Sequence, residues 1–433
     1  MTRFKRICAN AALVVASLIV GIVLCEVGLR MLGFPSPSEF KTLRNGYAPQ
    51  FYYASDPVNG HDISKNVSTD VFFIPDYVRA HGAPFTVSSN SLGCRDRSFD
   101  PQDGYVLLLG DSVTEGYVAL AETWGTLLEN LIGARVLKCG VSGYGPRHER
   151  HKLKAVTALA GRPRFVIVGH VWNDILDDYL YPGRTVIEGY MLNKVLPADP
   201  IQGGRLVHSD EDLRTRLENR LNPQFGPIGR AKLLLANYSI LYDRVENSEA
   251  LQRVASWLGF AVSSNRRSEL EAFQSATDIP WLDQAWEEHL ESLRQLRSAV
   301  EALEATMLVV IFPDRRQLYE SLRPQKGNFD WEYPNQRLTE FLQREQIAYV
   351  DLLPEFRRYV GCTGRSMPRT PDDLFWVIDD HPNVKGNRLA GLLLGREVLE
   401  QSFLQFEDKR TRLTHINQLL DMEDRCRSMP SSQ

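Results

Sequence analysis

The stretch Tyr105–Gly116, YVLLLGDSVTEG, is the part of the sequence that indicates the fold. Its first half, Tyr105–Leu109, is a short apolar run, which is typical of a strand buried on both faces of a sheet. The run ends at Gly110, and the polar residues that follow are typical of a turn that leads into a helix. The stretch therefore predicts the strand-to-helix step of a parallel sheet covered by helices.

The same alternation of strand and helix continues along the chain. The next helix carries its leucines on one side and is expected to stop at Gly133. A last helix is expected from about Val384 to Leu399. Strands alternating with helices predict an α/β fold of three layers, α/β/α, around a central, mostly parallel five-stranded sheet. Its other four strands are predicted at Arg135–Cys139, Arg164–Val168, Met307–Phe312 and Ile347–Asp351.

The remaining segments surround or interrupt this domain, which is expected to span residues 101–400. Residues 35–100 are rich in Pro, Ser, Asn and Asp and are interpreted as a loop-rich lead-in. From about 183 to 280 the rhythm breaks into polar loops and helical patches such as Arg230–Glu246, with no clear strand series, which predicts a helical insertion. Residues 401–433 form a charged helical pattern whose apolar residues predict a docking helix: Leu413, Ile416, Leu419 and Leu420.

The composition excludes several classes of protein. Of the 433 residues, 43% are hydrophobic and 24% are charged, which excludes collagen, low-complexity disorder and a multi-pass membrane protein. The 50 basic and 54 acidic residues give a net charge of −4, so no basic footprint for nucleic acid is present. The charge indicates nothing about the substrate, and the number of subunits stays open.

The N-terminal run Ile7–Cys25 differs from the rest of the chain because it contains no charged residue. Its length is close to the ~20 residues that span a membrane as a helix. The run is preceded by three basic residues, Arg3, Lys5 and Arg6. Because basic residues flanking a membrane span tend to stay on the cytoplasmic side, they predict a cytoplasmic N-terminus with everything after Glu26 exported. We therefore expect residues 1–34 to be an uncleaved anchor of a single-pass inner-membrane protein with a periplasmic domain.

The apolar run allows three interpretations other than an anchor. A cleaved signal peptide would end in a small-x-small site, and none follows the run. A lipoprotein signal would use Cys25, but Leu24 is bulky where that signal needs a small residue. A buried core helix is the third alternative. If the chain is exported, four cysteines meet an oxidising space: Cys94, Cys139, Cys362 and Cys426. The sequence leaves their three possible pairings open. A further alternative is that Cys139 is simply a buried strand residue.

Four loops that follow strands or precede the last helix carry candidate functional groups. Gly110–Gly116 places Ser112 at a helix N-terminus, where backbone N–H groups stabilise negative charge, although Asp111 and Ser112 also suit plain helix capping. The glycines of Cys139–Gly145 allow close approach of a ligand to the backbone, and the alternative is that this loop is an ordinary glycine-rich turn. Because sites in open parallel sheets form at the carboxyl ends of strands, these loops are expected to meet.

The other two loops supply polar side chains. Gly169–Asp174 contains Asn173, whose amide could donate a hydrogen bond or form a simple Asx turn. The sequence Asp379-Asp380-His381 precedes the last helix and offers an imidazole with adjacent carboxylates, which is what a serine nucleophile needs for activation.

Taken in order, these four blocks resemble the SGNH (GDSL-type) hydrolase family over roughly Tyr105–Glu400, apart from the insertion. The resemblance implies a flavodoxin-like fold with Ser112 as nucleophile and His381 as general base. It also implies an oxyanion hole made by the Ser112 and Gly143 N–H groups and the Asn173 side chain. The upstream motif Asn90–Arg95 and the apolar run are similar to a membrane-anchored bacterial branch of that family.

The sequence departs from the family pattern at the acid. The family commonly places it three residues before the histidine, where this chain has Ile378. Some branches use the position two residues before, so Asp379 is the predicted partner of His381, and the adjacent Asp380 is the alternative. Lys138 and Asn387 also stand where the family often has Asn and His.

The expected function is a serine esterase that removes an acyl group, such as acetyl, from an envelope glycan or lipid through an acyl-serine intermediate. An O-acyltransferase with the same residues is the first alternative, and a non-catalytic glycan-binding or assembly protein is the second. Neither a metal nor an organic cofactor is required by this chemistry. Four tryptophans could stack on sugars, although large aromatic residues are more often core: Trp172, Trp281, Trp331 and Trp376.

Overall fold

The computed structural model describes residues 2–31, 50–72, 77, 81, 85–199, 202–221, 234–235, 238–242, 279–323, 329–362, 373–376, 381–401 and 408–423. The chain folds as two units. One comprises Met1–Tyr47 and Thr215–Asn265, and the other comprises Ala48–Arg214 and Arg266–Gln433. All the candidate site residues belong to the second unit.

The strands and helices follow one another in the order that the sequence indicates for an α/β domain. The strands are β1 (Tyr53–Asp56), β2 (Gly60–Ile63), β3 (Ser68–Phe72), β4 (Phe85–Ser88), β5 (Val106–Gly110), β6 (Val136–Lys138), β7 (Phe165–His170), β8 (Arg184–Ile187), β9 (Tyr190–Asn193), β10 (Val195–Asp199), β11 (Gly203–Val207), β12 (Thr306–Ile311) and β13 (Ala348–Asp351). The helices are α1 (Thr2–Met31), α2 (Ser112–Glu115), α3 (Trp124–Ile132), α4 (Pro146–Ala160), α5 (Asp174–Tyr179), α6 (Asp210–Leu221), α7 (Trp281–Glu301), α8 (Arg315–Leu318), α9 (Tyr333–Arg344), α10 (Leu353–Cys362), α11 (Val384–Glu400) and α12 (Lys409–Glu423).

The central sheet has five strands in the order β13-β12-β7-β5-β6, and every neighbouring pair is parallel. The predicted strands and their parallel pairing are therefore confirmed. Gly110 at the end of β5 pairs with Gly169 of β7, so the loops that follow these two strands start from the same edge of the sheet. This register is what brings the predicted motifs together.

The sheet is covered by helices on both faces, which confirms the three-layer α/β prediction. Alternate strand residues enter two separate cores, since successive side chains in a strand point to opposite faces. Leu107 and Leu109 join a core with α4 and α7, whereas Val106 and Leu108 join a core with α3 and α11. All four side chains are fully buried, which is why this strand is apolar without interruption.

Two segments differ from the sequence-based expectation. The lead-in was expected to be loop-rich, but its described part contains the antiparallel hairpins β1–β2 and β3–β4. The insertion was expected to be helical without a strand series, but it begins with two hairpins, β8–β9 and β10–β11. These strands are four or five residues long, too short for a clear alternation of apolar and polar residues. Most of the predicted helical patch Arg230–Glu246 lies outside the described residues.

The cysteine pairing that the sequence left open is formed between Cys94 and Cys139. Cys139 is therefore more than a buried strand residue, because its disulfide ties the lead-in to the loop that follows β6. Of the other two cysteines that follow the N-terminal apolar run, Cys426 and the side chain of Cys362 lie outside the described residues.

Helix α1 contains the predicted anchor. Within the part of the chain that the structure describes, no helix qualifies by length and apolar character as a membrane span.

The C-terminal tail forms α12 and docks on the α/β domain as predicted. Ile416 is completely buried, and Leu420 is nearly so, in the core that α3 and α11 share. The Arg412 guanidinium also donates to the carbonyl of Leu131 at the end of α3 over 3.0 Å. The tail is thus part of the folded domain.

Replacing Ile416 with Ala should lower the free energy of unfolding by about 2–5 kcal/mol, because the change removes buried methyl groups and leaves a cavity. Chemical denaturation followed by fluorescence would measure the loss. The neighbouring exposed residue offers a matched control, since Asn417→Ala should stay within about 0.5 kcal/mol of the wild type. Equal stabilities for the two variants would mean that α12 does not contribute to the core.

Candidate active site

Ser112 begins α2 directly after the turn that ends β5. Asp111 is the N-cap of this helix, and its carboxylate accepts a hydrogen bond from the Val113 N–H over 2.8 Å. The capping role that the sequence allowed is therefore real, and it fixes the backbone on which Ser112 sits. As the first residue of a helix, Ser112 has an N–H without an intrahelical acceptor, which leaves this donor available at the site.

His381 lies opposite Ser112, and its Nε2 is 2.7 Å from the Ser112 Oγ. The loop that carries it is fixed by an antiparallel bridge between Phe375 and Pro382. The Trp376 N–H also donates to the His381 carbonyl over 3.1 Å. The Tyr117 ring packs against the imidazole with 3.9 Å between the ring centroids. Backbone pairing and ring packing thus hold the imidazole beside Ser112.

Two asparagines at the start of α11 secure this loop. Asn383 caps the helix, accepting from the N–H groups of Lys385 and Gly386 over 2.9 and 3.0 Å. Asn387 donates to the Pro382 carbonyl over 2.9 Å and accepts from the Trp124 N–H over 3.1 Å. Asn387 thereby ties the His381 loop to α3.

The Ser112 hydroxyl has two neighbours that compete for its single proton. Besides the His381 Nε2, the Asp111 Oδ2 lies 3.0 Å from the Ser112 Oγ. Burial raises the pKa of Asp111, against the hydrogen bond from Val113 and the nearby imidazole, which lower it. A protonated Asp111 would donate to the Ser112 Oγ and leave the serine proton directed at His381.

The predicted acid, Asp379, and its alternative, Asp380, both lie outside the described residues. Their placement relative to His381 is therefore not given by the structure, and the choice between them stays a prediction.

Gly143 lies in the loop after β6, and a buried carboxylate holds this loop against α2. The Glu115 Oε2 accepts from both the backbone N–H and the hydroxyl of Ser142, each over 2.7 Å. Gly143 follows with φ +76°, a conformation that favours glycine. Its N–H has no acceptor among the described residues, so this donor is also available at the site.

Asn173 lies at the start of α5, after β7, and its side-chain amide faces two carboxylates. The Nδ2 donates to the Asp177 Oδ2 over 3.0 Å and lies 3.5 Å from the Asp111 Oδ2. The shorter bond fixes the amide, whereas the longer one is weak enough to be exchanged for another acceptor. Asn173, Asp111 and Ser112 therefore lie together at this edge of the sheet.

The lead-in supplies two residues that sequence reasoning did not single out for the site. The buried Arg95 guanidinium caps α2, donating to the carbonyls of Glu115 over 2.7 Å and Val118 over 2.5 Å, and to that of Gly116. The buried His61 Nε2 lies 2.8 Å from the Ser142 carbonyl, to which it donates. The Asn90–Arg95 motif and β2 thus support the loops that carry Ser112 and Gly143.

A network of buried ionisable groups lies behind Asn173. The His170 and His289 Nε2 atoms are 2.9 Å apart, and the His289 Nδ1 is 2.8 Å from the Asp178 Oδ2. Burial lowers the pKa of His289 to about 3 and raises the pKa values of Asp174 and Asp178 well above their ordinary range. Both histidines are therefore neutral at pH 7, and the network anchors α5 to α7.

Two of the four tryptophans and Lys138 have structural roles. Trp281 and Trp376 are buried, which agrees with a core role. Lys138 pairs with Glu129 at 2.6 Å and Asp96 at 3.3 Å. Among the described residues, no group of three or more His, Cys, Asp or Glu side chains could hold a metal ion.

Comparisons with known proteins give structural neighbours only. No protein-family model matches the sequence, and no curated protein matches it either. The chain is similar to a member of the lipolytic protein G-D-S-L family from Veillonella parvula, with 13% identity over 69% of this chain and 97% of that one and a TM-score of 0.32.

Two further neighbours are carbohydrate-directed esterases. An acetyl xylan esterase from Butyrivibrio proteoclasticus is 11% identical over 71% of this chain and 66% of its own, with a TM-score of 0.30. A carbohydrate esterase family 2 enzyme with a carbohydrate binding domain, from Corynascus thermopiles, is 10% identical over 73% and 70%, with a TM-score of 0.32.

His61 should make the stability of the domain depend on pH. Burial lowers its pKa to about 3, whereas the unfolded chain binds the proton near pH 6.5. Below pH 6.5 the unfolded state therefore gains protons that the folded state does not, and stability falls as pH falls. Between pH 7.5 and pH 5, the wild type should lose about 2 kcal/mol more than His61→Gln, which keeps a donor for Ser142 but does not titrate.

Urea unfolding at the two pH values measures this difference. The matched control is His415→Gln on α12, an exposed position, which should keep the pH dependence of the wild type. Identical pH dependences for the wild type and His61→Gln would contradict a buried, neutral His61.

Proposed function

We propose that the protein is a serine hydrolase that cleaves carboxylic esters through an acyl-enzyme. The observation that carries the proposal is the 2.7 Å separation between the Ser112 Oγ and the His381 Nε2. This is the distance at which a histidine can take the proton of a serine nucleophile. Two available N–H donors, of Ser112 and Gly143, and the Asn173 amide lie on the neighbouring loops.

Acylation begins when Ser112 attacks the ester carbonyl and its proton passes to the His381 Nε2. The new bond joins the Ser112 Oγ to the carbonyl carbon, and the carbonyl oxygen becomes an oxyanion. The N–H groups of Ser112 and Gly143 stabilise that charge. Asn173 joins them by exchanging its weak 3.5 Å contact with Asp111 for the oxyanion, while Asp177 keeps the amide in place.

The tetrahedral intermediate then collapses. The carbon–oxygen bond to the alcohol breaks, and His381 returns the proton to the leaving oxygen. Water next attacks the acyl-serine, again giving its proton to His381, and the second collapse releases the carboxylic acid and restores the Ser112 hydroxyl. In this proposal Asp379 orients the imidazole from its other nitrogen.

The proposed substrate is a small O-acyl ester, such as an acetyl group, on an envelope glycan or lipid. The apolar N-terminal run supports the location of that substrate, since it predicts export of the domain. The Cys94–Cys139 disulfide supports it too, because disulfides persist mainly in oxidising compartments outside the cytosol.

Labelling with a fluorophosphonate probe and hydrolysis of an aryl acetate test the proposed activity. The wild type should be labelled and should turn over, and Ser112→Ala should lose both because it lacks the nucleophile. Asn173→Ala should keep the labelled serine but lose about 10²–10³-fold in kcat, since it removes one oxyanion donor.

Ser298→Ala, at an exposed position of α7, is the matched control and should behave like the wild type. If the purified full chain is neither labelled nor active, the proposed function is wrong. If labelling is retained in Ser112→Ala, another residue is the nucleophile.

We further propose that α1 anchors the protein in the inner membrane, with the catalytic unit in the periplasm. Most of the described apolar side chains of α1 are exposed, among them Leu13 and Val20, at 70% and 57%. Transfer of such side chains from water into lipid or protein lowers the free energy.

Membrane fractionation of the full chain after an alkaline carbonate wash tests this anchor. The wild type should stay in the membrane fraction, and the double substitution Leu13→Asp with Val20→Asp should be released, because each charge costs about 2.5–3.5 kcal/mol at a bilayer centre. Ser17→Ala on the same helix is the control and should stay in the membrane. Release of the wild type by the wash would contradict the anchor.

A further inference from the structure

Tyr117 lies two residues after α2, and its backbone is fixed from both sides. The Arg95 guanidinium donates to the carbonyls of the residues directly before and after it. The Tyr117 carbonyl accepts a hydrogen bond from the Trp376 Nε1 over 3.2 Å. The backbone N–H of Trp376 donates to the His381 carbonyl over 3.1 Å, so the tyrosine and the histidine are held by the same neighbour.

The Tyr117 ring lies over the His381 imidazole. The ring centroids are 3.9 Å apart, and the ring planes are inclined by 35°, which is closer to a parallel stack than to an edge-to-face pair. The imidazole therefore meets the face of the tyrosine ring, which carries the negative part of its quadrupole. Tyr117 is only 6% exposed, so water screens this contact little. A cation over an aromatic face is stabilised, and more strongly where water is excluded.

The phenol hydroxyl makes this ring a better partner for a cation. Its oxygen lies 3.1 Å from the Ser142 Oγ. The Ser142 hydroxyl gives its single proton to the Glu115 Oε2 over 2.7 Å, so the Tyr117 hydroxyl is the donor in the bond between the two hydroxyls. This chain of donors ends on a carboxylate, and hydrogen bonds in a chain polarise one another. The polarisation increases the electron density of the ring face that meets His381.

A positive charge forms on His381 twice in the proposed reaction, when the proton of Ser112 and later that of water pass to its Nε2. The face of the Tyr117 ring attracts the imidazolium much more strongly than the neutral imidazole. Its contribution is therefore larger in the transition state than in the resting enzyme. This difference is the condition under which an interaction accelerates the chemical step.

Other charged groups lie near the two rings. The Asp111 carboxyl interacts electrostatically with the His381 imidazole from the N-cap of α2. Arg95 and Glu115 bind the backbone and the loop next to Tyr117. The acid that is proposed to orient the imidazole lies on its own segment. A test of the tyrosine ring must therefore leave all these charges in place and change only the electron density of the ring.

We propose that Tyr117 is a positioning residue that also stabilises the imidazolium form of His381 through a cation–π interaction. This inference rests on the proposed function of Ser112 and names a further residue for the same reaction. It gives Tyr117 an electronic role besides packing. A ring of the same shape with a less negative face should therefore not replace it.

Phenylalanine and its fluorinated forms at position 117 test this role, since fluorine withdraws electron density from the ring face and changes the shape of the ring little. In the full chain, Tyr117→Phe should keep at least about a third of the wild-type kcat/KM for an aryl acetate, because it keeps the ring face. From phenylalanine through the monofluoro to the 3,4,5-trifluoro form, kcat/KM at alkaline pH should fall stepwise, by about 3–30-fold in all. Tyr117→Leu, which has no aromatic face, should lose at least as much.

The pH profile distinguishes this role from plain packing. An imidazolium without its stabilising ring loses its proton more easily, so the acid limb of the kcat/KM profile should move to lower pH by about 0.5–1.5 across the series. The loss of kcat/KM should therefore be largest on the alkaline plateau and shrink towards acid pH, whereas a purely structural defect lowers kcat/KM equally at every pH. NMR titration of the His381 imidazole in the folded variants measures the same change without catalysis.

Tyr105 is the matched control, because it is also buried, at 2% exposure, and lies just before β5, at the end of the strand far from Ser112. From phenylalanine to trifluorophenylalanine at position 105, kcat/KM and its pH profile should not change. Equal kcat/KM values and equal His381 titrations across the series at position 117 would overturn the proposal, as would the same response at position 105. Fluorophosphonate labelling separates the two failures: a labelled wild type with a flat series refutes the role of Tyr117 alone, and an unlabelled wild type refutes the proposed function.

Discussion

The carboxylate of Glu115 joins the helix that carries Ser112 to the loop that carries Gly143. It accepts two 2.7 Å hydrogen bonds from Ser142 and further ones from the Tyr53 hydroxyl at 2.9 and 3.1 Å, while the residue is only 3% exposed. A buried carboxylate that lost these donors would be strongly destabilising, so the loop and the helix hold one relative position. The proposed nucleophile and the proposed oxyanion loop are thus aligned by an interaction that need not touch the substrate.

The lead-in is part of this alignment although it lies outside the central sheet. Tyr53 reaches Glu115 from β1, His61 reaches the Ser142 carbonyl from β2, and Arg95 caps the end of the Ser112 helix. The Cys94–Cys139 disulfide adds a covalent tie to the start of the same loop. Each contact joins residues distant in sequence. Together they hold the hydrogen-bond donors at the carboxyl edge of the sheet in one fixed arrangement.

How much of this could be predicted from the sequence depends on the range of the interactions involved. The strands of the central sheet are predictable because burial on both faces demands uninterrupted apolar runs such as Tyr105–Leu109. Ser112, Asn173 and His381 could be singled out because each sits in a loop at the end of a strand or the start of a helix. The hairpins of β8–β11 could not, because strands of four or five residues carry too little alternation of apolar and polar residues.

The geometry around His381 bears on the departure of the sequence at Ile378. An acid paired with a catalytic histidine has two tasks, to position the ring and to select the tautomer with a free Nε2. Here the Phe375–Pro382 bridge and the Tyr117 ring, with the Asn387 bond to Pro382, already position the imidazole 2.7 Å from Ser112. In the proposed mechanism the acid is left mainly with the second task, which needs only one acceptor near the Nδ1. A carboxylate at position 379, one residue after Ile378, can supply that acceptor, since the placement of the ring does not depend on the acid.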